Sequence, residues 1–252
     1  MRFDRYILLL ILLVLWQALC SLKLIPTHLL PSPVKIVLGL KDLLIIGMPP
    51  GHLLPKHIFY SLYRVALGFA AAALLGIPIG LWMGWSPRLR RIVNPLVELV
   101  RPIPPLAWIP IAILWFGIGM KSAAFIIFLG AFFPILLNTV SGVSAINPIY
   151  FEAAQTLNAK RKDVFFKILV PGSIPSIFVG MRIGVGIGWM TLVAAEFTGV
   201  RSGYGLGYMI MTARDIQRPD EILAGMLVIG LIGYLINGGL KACERKFVKW
   251  RD

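Results

Sequence analysis

The sequence predicts an all-α, polytopic membrane protein of about six transmembrane helices, with both termini cytoplasmic and one transmembrane domain over residues 1–252. Three observations predict it. Of 252 residues, 58% are hydrophobic and 14% charged, and the mean hydropathy of +0.83 is too high for a soluble domain. Apolar runs near 20 residues recur along the chain, the length a helix needs to cross a bilayer with its backbone polar groups satisfied internally. The Lys and Arg residues gather beside those runs, so the net charge of +14 points to a lipid surface and not to nucleic acid.

The predicted spans are residues 6–22, 58–83, 100–116, 123–143, 177–197 and 222–240. The first follows a short basic start, Met1-Arg2-Phe3-Asp4-Arg5, but Leu19 precedes Cys20 and no small-residue cleavage pattern follows, so it reads as an uncleaved span. The second carries Gly68, Ala72, Gly76 and Gly80 at four-residue spacing, a stripe that lets another helix approach closely, and Pro78 that bends it. The third opens on Arg101-Pro102-Ile103-Pro104-Pro105 and contains Pro110, so a continuous helix begins only after Pro105. The fifth repeats the small-residue stripe with Gly180, Gly184 and Gly188.

Sorting basic residues by loop sets the orientation. With the N-terminus inside, the inner side holds 14: Arg2, Arg5, Arg88, Arg90, Arg91, Lys160, Arg161, Lys162, Lys167, Lys241, Arg245, Lys246, Lys249 and Arg251. The outer side holds 8: Lys23, Lys35, Lys41, Lys56, Lys121, Arg201, Arg214 and Arg218. Arg64, Arg101 and Arg182 fall in spans. Cys20 and Cys243 have no Cys or His at ligand spacing, and His28, His52 and His57 share one polar connection, so no metal site, cofactor or disulfide framework is expected. Gly184-Val185-Gly186-Ile187-Gly188 lies inside a span with no strand before it, and Gly117-Ile118-Gly119-Met120-Lys121-Ser122 lacks phosphate-loop spacing, so no nucleotide site is expected either.

Between the fourth and fifth spans, residues 146–171 form a polar segment on the inner side. Asn147-Pro148 starts a helix that carries Glu152, Ala153 and Ala154. The two alanines let a partner surface come close, and Glu152 brings a charge. Asn158 suits a left-handed turn at the helix end. A second helix from about Ala159 to Leu169, ended by Pro171, carries Lys160, Arg161, Lys162 and Lys167, which either face a partner or obey the charge rule alone.

Charged residues inside spans are costly and often line a polar path. Arg182, Trp189 and Glu196 are seven apart on one face of the fifth span, opposite its glycines, with Arg182 and Glu196 about 21 Å apart. Each either lines a path or pairs with a neighbouring helix. Arg101 and Trp108 stand at the proline-rich break, which either borders a cavity or makes an amphipathic elbow at the cytoplasmic surface.

Glu152-Ala153-Ala154 through Asn158, with Ile168-Leu169-Val170-Pro171, resembles the EAA loop of ATP-binding-cassette importer permeases, with Asn158 in place of the family's Gly and Val170 in place of its Leu. Leu30-Pro31-Ser32-Pro33, the stretch from Arg101 to Pro110, Trp115-Phe116-Gly117-Ile118-Gly119, Gly130-Ala131-Phe132-Phe133-Pro134, Ala195-Glu196-Phe197 and Gly203-Tyr204-Gly205-Leu206-Gly207 are similar to the nitrate, sulfonate, taurine and bicarbonate branch. The resemblance implies two cytoplasmic ATPase subunits gripped through Glu152, Ala153, Ala154, Asn158, Lys160 and Arg161, a second permease copy, and an extracytoplasmic binding protein. The chain itself would then be no enzyme. Similar permeases for riboflavin or thiamine precursors are the alternative, and an ion-coupled carrier, for which Glu196 would be the intramembrane acid, is a further one.

Overall fold

The computed structural model describes residues 3–22, 24–26, 28–197 and 203–247. Arg2, Lys23, Arg201, Lys249 and Arg251 of the charge tally lie outside them. Eleven α-helices occur among the described residues: α1 (Phe3–Ser21), α2 (Pro33–Ile45), α3 (Leu54–Trp85), α4 (Pro87–Val100), α5 (Ile109–Phe116), α6 (Met120–Ser144), α7 (Ile149–Thr156), α8 (Arg161–Val164), α9 (Val170–Phe197), α10 (Leu206–Asp215) and α11 (Pro219–Phe247). A 3₁₀ turn spans Pro105–Trp108 and a π turn spans Phe165–Leu169.

Among the described residues four helical stretches are long and apolar enough to cross a membrane: Leu54–Trp85, Met120–Ser144, Arg161–Phe197 and Pro219–Phe247. The helix pair 87–100 and 105–116 makes a fifth if counted as one span, bent by 82°. The third predicted span is therefore not one helix from residue 100 to 116. Its prolines strip N–H donors from the turn between the two arms, and the chain breaks there. α1 has 19 residues, with Ile7, Leu8 and the run from Leu10 to Leu15 exposed, as suits a lipid-facing helix.

Local chemistry sets several boundaries. Ser32 and Ser86 cap α2 and α4 by accepting from the N–H groups of Lys35 and Leu89, each at 3.4 Å, and Pro follows each cap. Pro171 does not end the second helix of the polar segment. In the π turn before it, the Val170 N–H reaches back five residues to the Phe165 carbonyl, a wider turn that absorbs the donor Pro171 lacks and lets the helix run on to Phe197.

The chain divides into two compact units, one of residues 1–61 and 196–232, the other of residues 62–195 and 233–252. In the second unit α6 is the central helix. The small residues of α3 pack on one side of it: a Cβ added to Gly68 would stand 2.5 Å from the Ala124 carbonyl oxygen, and one on Gly80 would stand 2.7 Å from Thr139 Cβ. Those of α9 pack on another, where a Cβ on Gly180 would stand 2.8 Å from Asn138 Cβ and one on Gly184 2.9 Å from the Ala131 carbonyl oxygen. Both glycine stripes thus meet one partner, with Ala72, Ala131 and Ile135 fully buried between helices.

In the first unit α2 lies against the start of α11, where a Cβ on Gly39 would be 2.9 Å from the Asp220 carbonyl carbon. Arg218 ties the two together through Asp42 at 2.9 Å, Asp220 at 2.8 Å and Glu221 at 2.9 Å. The hydrogen bond to Asp220 and the one to Asp42 hold the guanidinium well above its ordinary pKa.

Candidate functional site

The polar segment between α6 and α9 is built from the end of α3 outward. Trp85 meets Phe151 of α7 at 6.2 Å between ring centroids and Phe165 of the π turn, edge-on, at 6.1 Å. These contacts fix α7 against the helix end. Asn147 Oδ1 accepts from the Ile149 N–H at 3.0 Å and so opens the helix.

At its other end the Ala159 N–H bonds to the Ala154 carbonyl and the Asn158 N–H to the Gln155 carbonyl, each at 2.9 Å, with Asn158 at φ 52°. That is the Schellman arrangement, with Asn in the left-handed position where Gly is commonest. The turn orients the helix: Ala154 is buried, while Tyr150, Glu152, Ala153 and Leu157 are exposed, Leu157 by 81%. Lys160 and Arg161 are exposed beside them. A cleft of about 750 Å³ lies alongside, lined by Trp85, Arg88, Phe151, Gln155 and Arg161 among others.

The residues read from the fifth span go to different places. Arg182 pairs with Glu244 of α11 at 3.1 Å. Trp189 is buried against Gly233 of α11, where an added Cβ would lie 3.1 Å from the indole Cδ1 and Nε1. The face opposite the glycines therefore packs on α11.

Glu196, in the first unit, is fully buried and accepts from Ser61 Oγ at 2.8 Å and from the Gly207 N–H at 2.8 Å. Ser61 Oγ in turn accepts from the Leu206 N–H at 2.9 Å, and His57 Nδ1 from the Gly205 N–H at 3.0 Å. His57 Nδ1 also stands 2.9 Å from the Gly205 carbonyl and Nε2 3.1 Å from the His52 carbonyl, so a ring proton finds an acceptor at either nitrogen. Three side chains thus receive three consecutive N–H groups at the start of α10. Tyr204, just before them, stacks on Tyr60 at 5.2 Å and lies 5.3 Å from the His57 ring.

His57 accordingly sits in α3 and is buried, not in a polar connection as the sequence suggested. Ser61, one turn further on, gave no signal of its own. The usable clue was the i, i+4 spacing of His57 and Ser61 at the head of an apolar helix.

Arg101 and Trp108 line a cavity of about 310 Å³ at the break between α4 and α5, with Phe133 and Asn138 of α6 and Ile183 and Ile187 of α9. Arg101 also meets Glu98 at 3.4 Å. Among the described residues no group of three His, Cys, Asp or Glu side chains could hold a metal ion.

Fold and composition define a multi-pass helical membrane protein. Its family follows from comparison with known proteins. The profile described as "binding-protein-dependent transport system inner membrane component" matches residues 76–242. The taurine transport system permease protein TauC of Escherichia coli (strain K12) is 40% identical over 243 residues, 95% of this chain and 86% of that one. The putative aliphatic sulfonates transport permease protein SsuC of Bacillus subtilis (strain 168) is 37% identical over 96% of this chain and 85% of its own. A putative ABC transporter permease of Methanocaldococcus jannaschii is 48% identical over 69% of this chain, a match that spans 64% of that relative. Among solved structures, a chain of the inward-facing MetNI methionine ABC transporter superposes with a TM-score of 0.66 at 19% identity, covering 76% of this chain and 94% of that one. The protein belongs to the family of binding-protein-dependent transport system inner membrane components.

Proposed function

We propose that this chain is the membrane subunit of an ATP-driven importer for a small oxyanion or organosulfonate. It works with two cytoplasmic ATPase subunits, a second permease copy, and an extracytoplasmic protein that delivers the solute. One observation carries the coupling role. In a segment whose polar character would otherwise suit solvent, α7 turns Tyr150, Ala153 and Leu157 outward along one stripe and anchors itself through Ala154. Apolar side chains held outward on a helix clamped at both ends suit a partner surface.

Glu152 supplies a charge at the rim of this stripe, and Lys160 and Arg161 supply the opposite sign beyond the Asn158 turn. The sequence carries no phosphate-binding loop, so hydrolysis belongs to the partner. ATP-driven closure of the two ATPases moves α7, and the rigid connection through α8 and the π turn passes that movement to α9. Relatives named for taurine, aliphatic sulfonate, nitrate and bicarbonate transport support the solute class. Arg101 and Trp108 stand in the solute path, while Arg182 and Trp189 hold its wall through their partners on α11, and Glu196 serves the first unit by clasping α10.

The test is co-purification in nanodiscs with candidate ATPase subunits. The wild-type chain retains them, and Ala153→Trp or Glu152→Lys weakens the association about tenfold or more, as expected for a change at the centre of an interface. Unchanged association in both variants would sink the coupling role. ATP-dependent uptake of labelled taurine, butanesulfonate, nitrate and bicarbonate into vesicles then identifies the solute.

A further inference from the structure

Residues 101–108 interrupt an apolar span, and backbone outside a helix is tolerated in a membrane where it is buried in protein or borders a cavity. Pro102, Pro104 and Pro105 remove three N–H donors within the break, and the two arms meet at 82°. The cavity of about 310 Å³ lies against that break. It is near the lower end of the size range of ligand pockets, which suits a small solute.

Its chemistry is one-sided. Among the described residues the only charged lining residue is Arg101 and the one polar amide is Asn138, and the walls are Trp108, Phe133, Ile183 and Ile187 with further apolar side chains. Asn138 Nδ2 already donates to the Pro134 carbonyl at 2.8 Å. The Arg101 counter-ion is Glu98, one turn back at 3.4 Å, with both side chains about half exposed (46% and 50%). An ion pair that open to water is weak and readily exchanged.

We infer that this cavity is a transit site for organic monoanions with a short apolar body, of the alkanesulfonate kind, in which Arg101 releases Glu98 and takes the anionic head group. The inference rests on the permease reading and deepens it. A guanidinium presents several donors in a fork that matches the oxygens of a sulfonate. Trp108, Phe133 and Ile183 cover the alkyl chain. Nitrate or bicarbonate would exchange part of its water for donors from Arg101 alone and has no apolar body for the walls to cover. Taurine would bring its ammonium against a wall with no lining carboxylate. The cavity therefore ranks butanesulfonate above taurine and taurine above nitrate.

Binding is read by saturation-transfer NMR on the wild-type permease in nanodiscs, with empty nanodiscs as the blank and ethanesulfonate, butanesulfonate, taurine and nitrate as probes. Nitrate carries no protons and is scored by its power to displace butanesulfonate. Affinity should rise about fourfold for each methylene between ethane- and butanesulfonate. Arg101→Gln should weaken butanesulfonate about tenfold, and Glu98→Gln, which removes the competing carboxylate, should tighten it about twofold. Ile183→Glu should place taurine above butanesulfonate, a gain that a folding defect does not produce. Binding no greater than the blank, displacement by nitrate as effective as by taurine, or an order unchanged by Ile183→Glu would overturn the inference. If ATP-dependent uptake persists without cavity binding, this inference alone fails, whereas loss of ATPase association defeats the permease reading.

Discussion

Glu196 is a fully buried carboxylate, and its surroundings explain why it is tolerated. The first N–H groups of a helix have no partner within it. At α10 the N–H of Gly207 is taken by Glu196, that of Leu206 by Ser61 and that of Gly205 by His57. Negative charge at a helix N-terminus is favoured by the helix dipole as well. Gly205 makes the approach possible, since a Cβ there would stand 2.6 Å from Glu196 Cδ. Glu196→Ala strands the Ser61 hydroxyl and the Gly207 N–H, at a cost of about 1–3 kcal/mol for each group left unpaired. Glu196→Gln keeps one acceptor and should cost less. Thermal unfolding of the solubilised protein, followed by tryptophan fluorescence, should rank wild type above Gln and Gln above Ala. Equal midpoints would mean that the clasp contributes nothing to stability.

Helix packing on α6 makes a contrast that one helix can test by itself. On α9, Gly184 faces the Ala131 backbone, while a Cβ added to Gly186 would meet nothing within 4 Å. Gly184→Val should therefore destabilise by about 1–3 kcal/mol through overpacking, and Gly186→Ala should be neutral or slightly stabilising. Similar losses in both would refute the assignment of the contact face. The stripes were legible in the sequence because the spacing of small residues is local information. Their shared partner was not, because α6 carries no matching stripe along its whole length and offers Ile127, Ala131 and Ile135 instead. The same division runs through the site. α7 and the Asn158 turn could be read from adjacent residues, but the Ser61 contact with Leu206 joins positions 145 apart in sequence. The continuation past Pro171 is not legible for another reason: a π turn depends on which carbonyl is free, not on residue type.

For the whole molecule, the charge tally makes a claim about sides that helix packing does not address. Fourteen basic residues against eight predict that residues 146–171 and both ends lie in the cytoplasm, and that the loop after α2 and the start of α10 lie outside. Five of those basic residues lie outside the described positions, so sidedness is best tested at exposed positions within them. Gln155 in α7 and Gly51 before α3 are both exposed, and no Cβ contact arises at Gly51, although its φ of +88° makes Lys56, exposed in the first turn of α3, the better outer reporter. In a background with Cys20→Ala and Cys243→Ser, a membrane-impermeant maleimide applied to right-side-out vesicles should label Lys56→Cys and leave Gln155→Cys unlabelled, and inside-out vesicles should reverse the pattern. Adding the ATPase subunits to inside-out vesicles should then slow labelling of Gln155→Cys, because the proposed contact covers that helix, and leave an exposed cysteine elsewhere on the same face unaffected. Labelling of both positions from one side would overturn the orientation, and with it any contact between α7 and a cytoplasmic ATPase.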